Sequence, residues 1–342
     1  MALPARPLPV EDVEREIMLD IVRVTETAAL RAAQWMGKGD NKAADQAAVD
    51  GMRGMLDLVN IRGTVILGEG EKDQAPMLYN GEQVGRGEAS GRVLDIAVDP
   101  LEGTRLVAKG APNAMSVIVA AEAGSLLPVP SFYMEKIAVG PAAVGCVDLD
   151  APPGENVRAV AKALGKRVEN LTVVILDRPR HAELIQAVRE AGARIKLISD
   201  GDVSAGIATA IEDSGVDMLI GVGGAPEGVL TAAALRCLGG EILTRLWVPT
   251  PEDKARAEAA GFTDFSRVYR GTDLVTSDSC IFAATGVTDG DLLRGVRYRG
   301  RTARTHSVVM RARTRTIRFV EAIHHLDYKT LRSRRENREL PA

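Results

Sequence analysis

The chain has 342 residues, 46% hydrophobic and 26% charged, with a formal net charge of −3, which allows two cored domains and argues against a dedicated nucleic-acid binder. No apolar run approaches the roughly 18 residues a bilayer span needs, and the opening MALPARPLPVEDVEREI has no signal-peptide core, so a cytoplasmic protein with no membrane contact is expected. The cysteines (Cys146, Cys237, Cys280) and histidines (His181, His306, His324, His325) show no zinc spacing; the thiols read as reduced core residues, and any metal is expected to be held by oxygen.

The first predicted element is a helix over 11–36. Val13, Ile17, Ile21, Val24, Ala28, Ala32 and Trp35 recur every three or four positions, one stripe of a helix with about 3.6 residues per turn. GKGDNKAADQAAVDGMRGML (37–56) opens as a glycine-rich loop and reads as helical from about Asp45. GTVILGEGEKDQ (63–74) is a strand ending in glycines and acids, and APMLYNGEQVGRGEASGR (75–92) reads as an exposed hairpin. VLDIAVDPLEGTRL (93–106) is a buried strand that runs into two carboxylates and a hydroxyl. NAMSVIVAAEAG (113–124) and MEKIAVGPAAVG (134–145) read as further strands of a mixed or antiparallel sheet.

Near 155 the pattern changes. Strands over 172–177, 194–199 and 216–223 alternate with helices over 181–191, 203–213 and 226–237. This β-α-β-α-β-α order predicts a parallel sheet with right-handed crossovers, whose ligands bind outside the carboxyl ends of the strands. Those ends carry Asp177-Arg178-Pro179-Arg180, Asp200-Gly201-Asp202 and GVGGAPEG (221–228). The stretch 250–261 reads as helix and 273–287 as strand. Residues 294–318 hold nine arginines and no acid; strand alternation sets Arg311, Arg313 and Arg315 on one face. A solvated or subunit-contacting face is favoured over an anion- or nucleic-acid-binding module, because little aromatic interleaving accompanies the arginines.

The chemistry concentrates at the strand ends. Asp99, Glu102 and Thr104 can converge where Pro100 and Gly103 shape the turn. Two carboxylates at one point repel, and a divalent cation removes the conflict; oxygen ligands suit Mg²⁺ or Mn²⁺. The alternative is an acidic surface turn. Glu69 and Glu71 form a second acidic cluster. Asp45 is either part of this set or an ordinary acid near a helix start. In GGAPEG, glycines before a helix start leave backbone N–H groups for an anion, and Glu227 either complements the dipole or ligates metal. Arg178 and Arg180 suit bidentate phosphate recognition. Asp200 and Asp202 either accept from sugar hydroxyls or, through Asp202, cap the next helix. Tyr133 reads as packing or as a ligand contact.

The run DPLEGT resembles the metal motif of the lithium-sensitive sugar and inositol phosphatase superfamily. GEGE, APMLY, DIAVDPLEGTR, YMEK, PRH, DGD and GGAPEG together, in order over about 11–330, resemble the bacterial class II fructose-1,6-bisphosphatases. The resemblance implies a layered α-β-α-β-α sugar-phosphatase fold, mixing α/β and α+β character. An N-terminal metal-binding part (1–155) would carry a mixed or antiparallel sheet, a C-terminal substrate part (156–330) a doubly wound parallel sheet, and 331–342 would be a tail. It implies two or more Mg²⁺ or Mn²⁺ ions on Asp45, Glu69, Asp99, Glu102 and Glu227. Sugar-phosphate contacts would fall on Glu102, Gly103, Thr104, Tyr133, Arg178, Pro179, Arg180, Asp200, Gly201, Asp202 and Gly224. Asp99, Glu69 and Thr104 would serve catalysis. The implied reaction is hydrolysis of the 1-phosphate of fructose 1,6-bisphosphate by in-line attack of a metal-bound water, with the helix start at 225–227 steadying charge. Dual action on sedoheptulose 1,7-bisphosphate, or another sugar or inositol phosphate substrate, fits the same motifs. A homo-oligomer, dimer or tetramer, is expected. Familiar members carry a lysine directly after the GD of the glycine loop; here Asn41 stands there and Lys42 follows.

Overall fold

The computed structural model describes residues 13–70, 77–89, 91–328, 331–333 and 338–340. Helix α1 (Val13–Ala33) carries the expected apolar stripe, and α2 (Asn41–Leu56) follows. Helix α2 starts at Asn41 rather than near Asp45. Asp40 is its N-cap, extended at φ −106°, and accepts from Ala43 N–H at 3.0 Å. Asp45 therefore stands in the second turn, beyond the N-terminal acid position.

Strand β1 (Ile61–Leu67), the short β2 (Gln83–Val84), β3 (Arg92–Glu102), helix α3 (Thr104–Lys109) and β4 (Met115–Glu122) come next. Among the described residues the expected hairpin over 75–92 does not form: Gln83–Val84 pairs antiparallel with β1 and Arg92 already opens β3, while Met77 and Leu78 are drawn into the core and bend the chain inward. Ala75, Pro76 and Ser90 of that stretch lie outside the described residues.

The second half contains β5 (Tyr133–Val139), α4 (Pro153–Ala163), β6 (Thr172–Leu176), α5 (Ala182–Glu190), β7 (Arg194–Ile198), α6 (Asp202–Ala208), β8 (Met218–Gly224), α7 (Ala225–Leu238) and β9 (Glu241–Trp247). Then come α8 (Pro251–Ala259), β10 (Tyr269–Arg270) and α9 (Gly271–Leu274). The chain returns to the first sheet through β11 (Cys280–Gly286), β12 (Arg297–Arg299), β13 (Thr302–Arg311) and β14 (Thr316–His325). Leu331–Ser333 (β15) pairs antiparallel with Arg338–Leu340 (β16).

The first sheet runs β12-β13-β11-β4-β3-β1-β2, with β14 on the free side of β13; the second runs β10-β9-β5-β8-β6-β7. The parallel unit expected from the β-α-β order is β8-β6-β7. Strand β5 extends it antiparallel instead of joining the first sheet, and β9, which carries no motif, lies antiparallel outside β5. Of the stretch 273–287, only the residues from Cys280 are strand; Leu274 ends a helical turn.

Side-chain alternation separates three cores. On β4, Ile118 and Ala120 face α1 and α2, with Ile21, Leu30 and Met52. Val117 and Val119 face the other way, onto α7, α6 and the inner face of the second sheet. On β6, Val174 joins that middle core while Val173 and Ile175 pack against α4 and α5. Strands buried on both faces read as continuous apolar runs. The layers are thus helix, sheet, helix, sheet, helix, the expected α/β architecture.

The arginine run does not form one face. Strand β13 ends at Arg311, which is buried, and the chain turns over 312–315, with Arg315 left-handed at φ 48°. Several arginines find acids elsewhere: Arg294 and Arg304 with Glu321 at 2.9 and 3.3 Å, Arg301 with Asp327 at 2.5 Å, and Arg297 with Asp289. Cys237 and Cys280 are buried as expected, whereas Cys146 is exposed beyond a one-turn helix. No helix among the described residues is long and apolar enough to cross a membrane.

Candidate active site

Parallel pairing puts the carboxyl ends of β1 and β3 on one edge of the first sheet. Leu67 pairs with Ala97, so the chain leaves β1 at Glu69 level with Asp99. Between Asp99 and Glu102 the β3–β4 register slips, and the bulge turns both acids toward the same side. Gly103 takes φ 86° and starts α3; a Cβ there would stand 2.8 Å from the Leu106 side chain. The ends of β6, β7 and β8 converge from the second sheet.

Between the two edges lies a cavity of about 450 Å³. Its lining contains Asp45, Glu69, Asp99, Glu102, Gly103, Thr104, Tyr133, Arg178, Arg180, Asp200, Gly201, Asp202, Gly224 and Glu227. Of the residues singled out in the sequence, Pro179 does not line it; it opens the 3₁₀ turn Pro179–His181 that swings the chain between the two arginines. Glu71 lies outside the described residues.

Contacts set the individual poses. Thr104 Oγ1 donates to Leu101 O at 3.1 Å, with Asp45 Oδ1 at 3.5 Å as a weaker second acceptor. Asp99 Oδ1 accepts from Leu101 N–H at 3.1 Å. Glu102 reaches across to the second half and accepts from Val203 N–H at 3.0 Å. That bond caps α6, a role the sequence offered to Asp202. Asp202 instead follows the left-handed Gly201 and accepts from Lys136 Nζ at 2.7 Å, both side chains buried. The helix start at 225–227 is not an open anion nest. Ala225 N–H donates to Phe132 O at 2.7 Å, Pro226 has no N–H, and the Glu227 carboxylate takes its own backbone N–H.

Electrostatics match this crowding. Burial pushes Asp99 up to about 7; the Glu102 hydrogen bond and Leu101 N–H pull down, while the charges of Glu227 and Asp45 push further up. Burial also holds Glu102 well above the carboxylate range, followed by repulsion from Asp99, Asp202 and Glu227. Two adjacent buried carboxylates resist ionising together, and the hydrogen bond between them lowers Asp99 and raises Glu102. Glu69 is raised by burial, then by Asp45 and Asp99. Asp45 is raised by burial against the Thr104 hydrogen bond. Burial raises Glu227 as well, with Lys136 opposing.

Among the described residues, no three His, Cys, Asp or Glu side chains stand close enough together to hold a metal ion as placed. The donor set is nonetheless that of a hard divalent cation. Asp45, Glu69, Asp99, Glu102 and Glu227 face one polar cavity, offer only oxygen, and carry repulsion that bound positive charge would relieve. The absence of a side chain at Gly224 lets the Glu227 carboxylate lie against the backbone there, since a Cβ would stand 2.0 Å from Glu227 Oε2.

Three residues near the site were missed. Lys136 and His181 sit inside the quoted stretches YMEK and PRH, but nothing local marks a buried lysine or a bridging imidazole. Trp247, at the end of β9, meets Tyr133 edge-on at 6.1 Å, and the Arg180 guanidinium lies 5.0 Å from the Tyr133 ring and 5.8 Å from the Trp247 ring.

Comparison with known proteins gives the same picture. Residues 15–324 match the family "Bacterial fructose-1,6-bisphosphatase, glpX-encoded". The D-fructose 1,6-bisphosphatase class 2/sedoheptulose 1,7-bisphosphatase of Synechococcus sp. (strain JA-3-3Ab) is 46% identical over 342 residues, covering 94% of this chain and 99% of the relative. The fructose-1,6-bisphosphatase 1 class 2 of Escherichia coli (strain K12) is 47% identical over 328 residues, covering 92% of this chain and 97% of the relative. With a carboxylate-lined cavity facing paired arginines and a family match across nearly all of its length, the chain belongs to the bacterial, glpX-encoded fructose-1,6-bisphosphatase family.

Proposed function

We infer that the protein is a phosphoric monoester hydrolase that removes the 1-phosphate of fructose 1,6-bisphosphate, giving fructose 6-phosphate. One observation carries the placement of the substrate: a single cavity has clustered carboxylates on the first-sheet side and Arg178 and Arg180 on the second. A molecule with two phosphates fits such a split.

Asp45, Glu69, Asp99, Glu102 and Glu227 would hold two or more divalent cations, Mg²⁺ or Mn²⁺, which supply positive charge to the phosphoryl oxygens and acidify water. The chain's own groups do the rest. Thr104, its hydroxyl proton turned to Leu101 O or Asp45, keeps lone pairs free to accept from water and aim it in line with the scissile bond. Asp99 and Glu102, both raised by burial, would act as ligands in their anionic form, which bound positive charge favours. Arg178 and Arg180 hold the second phosphate, Arg180 lying against two aromatic rings. Asp200 accepts from sugar hydroxyls, while Asp202, neutralised by Lys136, shapes the wall. No side chain is required as a nucleophile.

A second reading is dual action on sedoheptulose 1,7-bisphosphate, favoured by the names of two Synechococcus relatives, each 46% identical. Phosphate release from fructose 1,6-bisphosphate, sedoheptulose 1,7-bisphosphate and inositol 1-phosphate, each with Mg²⁺, with Mn²⁺ and with chelator, separates these outcomes. Cation-dependent release from the fructose ester supports the main reading. Release from inositol 1-phosphate alone overturns it.

A further inference from the structure

Strands β6 and β8 run parallel, but their ladder joins only Val173 with Met218 and Val174 with Leu219. Nearer the cavity the strands part. The ring of His181 fills the gap. Its Nδ1 lies 2.7 Å from Leu176 O at the end of β6, and its Nε2 lies 2.8 Å from Val222 N on β8. A carbonyl only accepts and an amide N–H only donates. The ring is therefore neutral, with its proton on Nδ1, donating to one strand and accepting from the other. Burial, then the charges of Arg180 and Arg178, hold the imidazole below its usual range against the Leu176 hydrogen bond and the charge of Asp202; Lys136 lines the same small cavity.

The bridge leads directly to the cavity. Val222, held through its N–H, presents its carbonyl to Arg180 Nη2 at 2.7 Å. Gly221, next to Val222, has φ 142°, and a Cβ there would stand 3.1 Å from the imidazole. Only a glycine lets the ring lie this close to the strand without a neighbour yielding.

We propose that His181 is a positioning residue for the second phosphate: its imidazole replaces the missing β6–β8 ladder bonds, fixes Val222, and through the Val222 carbonyl holds Arg180 over the cavity. This rests on the assignment of Arg180 to that phosphate. His181 touches no substrate; it acts through Arg180.

A double-mutant cycle tests the relay. Wild type, His181→Ala, Arg180→Ala and the double variant are compared by the KM for fructose 1,6-bisphosphate and by the inhibition constant of fructose 6-phosphate, which keeps the second phosphate. Expected is a roughly tenfold rise in both constants for His181→Ala, with kcat within about threefold of wild type. In the Arg180→Ala background the same change adds less than about twofold, because the group it positions is gone. Full additivity, or a fall in kcat with KM unchanged, overturns the relay. Should His181→Ala not fold, Gly221→Ala decides by the same criteria, since it disturbs the ring and keeps the imidazole. If Arg180→Ala itself leaves both constants unchanged, the phosphate assignment fails, a result separate from any outcome for His181.

Discussion

The ammonium of Lys136 lies 2.7 Å from Asp202 Oδ2, with both side chains buried beside the cavity wall. Gly223 opposes them on β8, where a Cβ would stand 2.0 Å from Asp202 Oδ2 and 2.9 Å from Lys136 Nζ. Lys136 is also the charge that offsets burial at Glu227. The lysine thus balances the second-sheet side of the site.

Replacing Lys136 with Met leaves Asp202 uncompensated. The expected loss is about 3–5 kcal/mol, the range for breaking a buried pair, seen as a fall of several degrees in the calorimetric melting temperature. Lys136→Met/Asp202→Asn should recover part of it. A single variant that melts with wild type would show the pair to be dispensable.

The metal-free protein should lose stability as pH rises through the neutral range. Asp99 is raised from an unfolded value near 3.8 to about 7, chiefly by burial. Between those values the folded state binds the extra proton, so this group's stabilisation is complete below the lower value and is lost as pH climbs through the upper one. With chelator present, the melting temperature of wild type should drop between about pH 4 and pH 7 relative to Asp99→Asn, which lacks this titration. Parallel curves for the two proteins would contradict the raised Asp99 carboxyl.

Gly224→Ala should keep the fold and lose most activity. The new Cβ would meet Glu227 Oε2 at 2.0 Å, and a flexible carboxylate end yields more readily than backbone. Circular dichroism should match wild type while kcat falls by roughly 10²–10³, the scale for removing one electrostatic stabiliser. Retained activity would mean that Glu227 works from another pose.

Much of this was legible in the sequence, for local reasons. Asp99, Glu102 and Thr104 follow a strand with Pro100 and Gly103 between them, and strand ends aim such groups outward. The apolar run of NAMSVIVAAEAG read as a strand of the first sheet, as β4 is. What escaped depended on contacts between distant segments. Lys136 finds its partner 66 residues away and His181 its bridge 41 residues away. The cap of α6 comes from Glu102, 101 residues earlier. The helix start at 225–227 looked open, but Phe132 takes one N–H and Glu227 folds back on another. The Arg311–Arg315 alternation failed because the strand turns at Ala312, so the period of two stops applying.

The most direct measurement is a crystal structure after soaking in Mn²⁺, read by anomalous scattering. Peaks should stand in the cavity between Glu69 and Asp99, with carboxylate oxygens drawn in to about 2.1–2.2 Å, a little beyond the Mg²⁺ range, and they should be missing from Asp99→Asn. An empty cavity at millimolar Mn²⁺, with activity intact, would contradict the account.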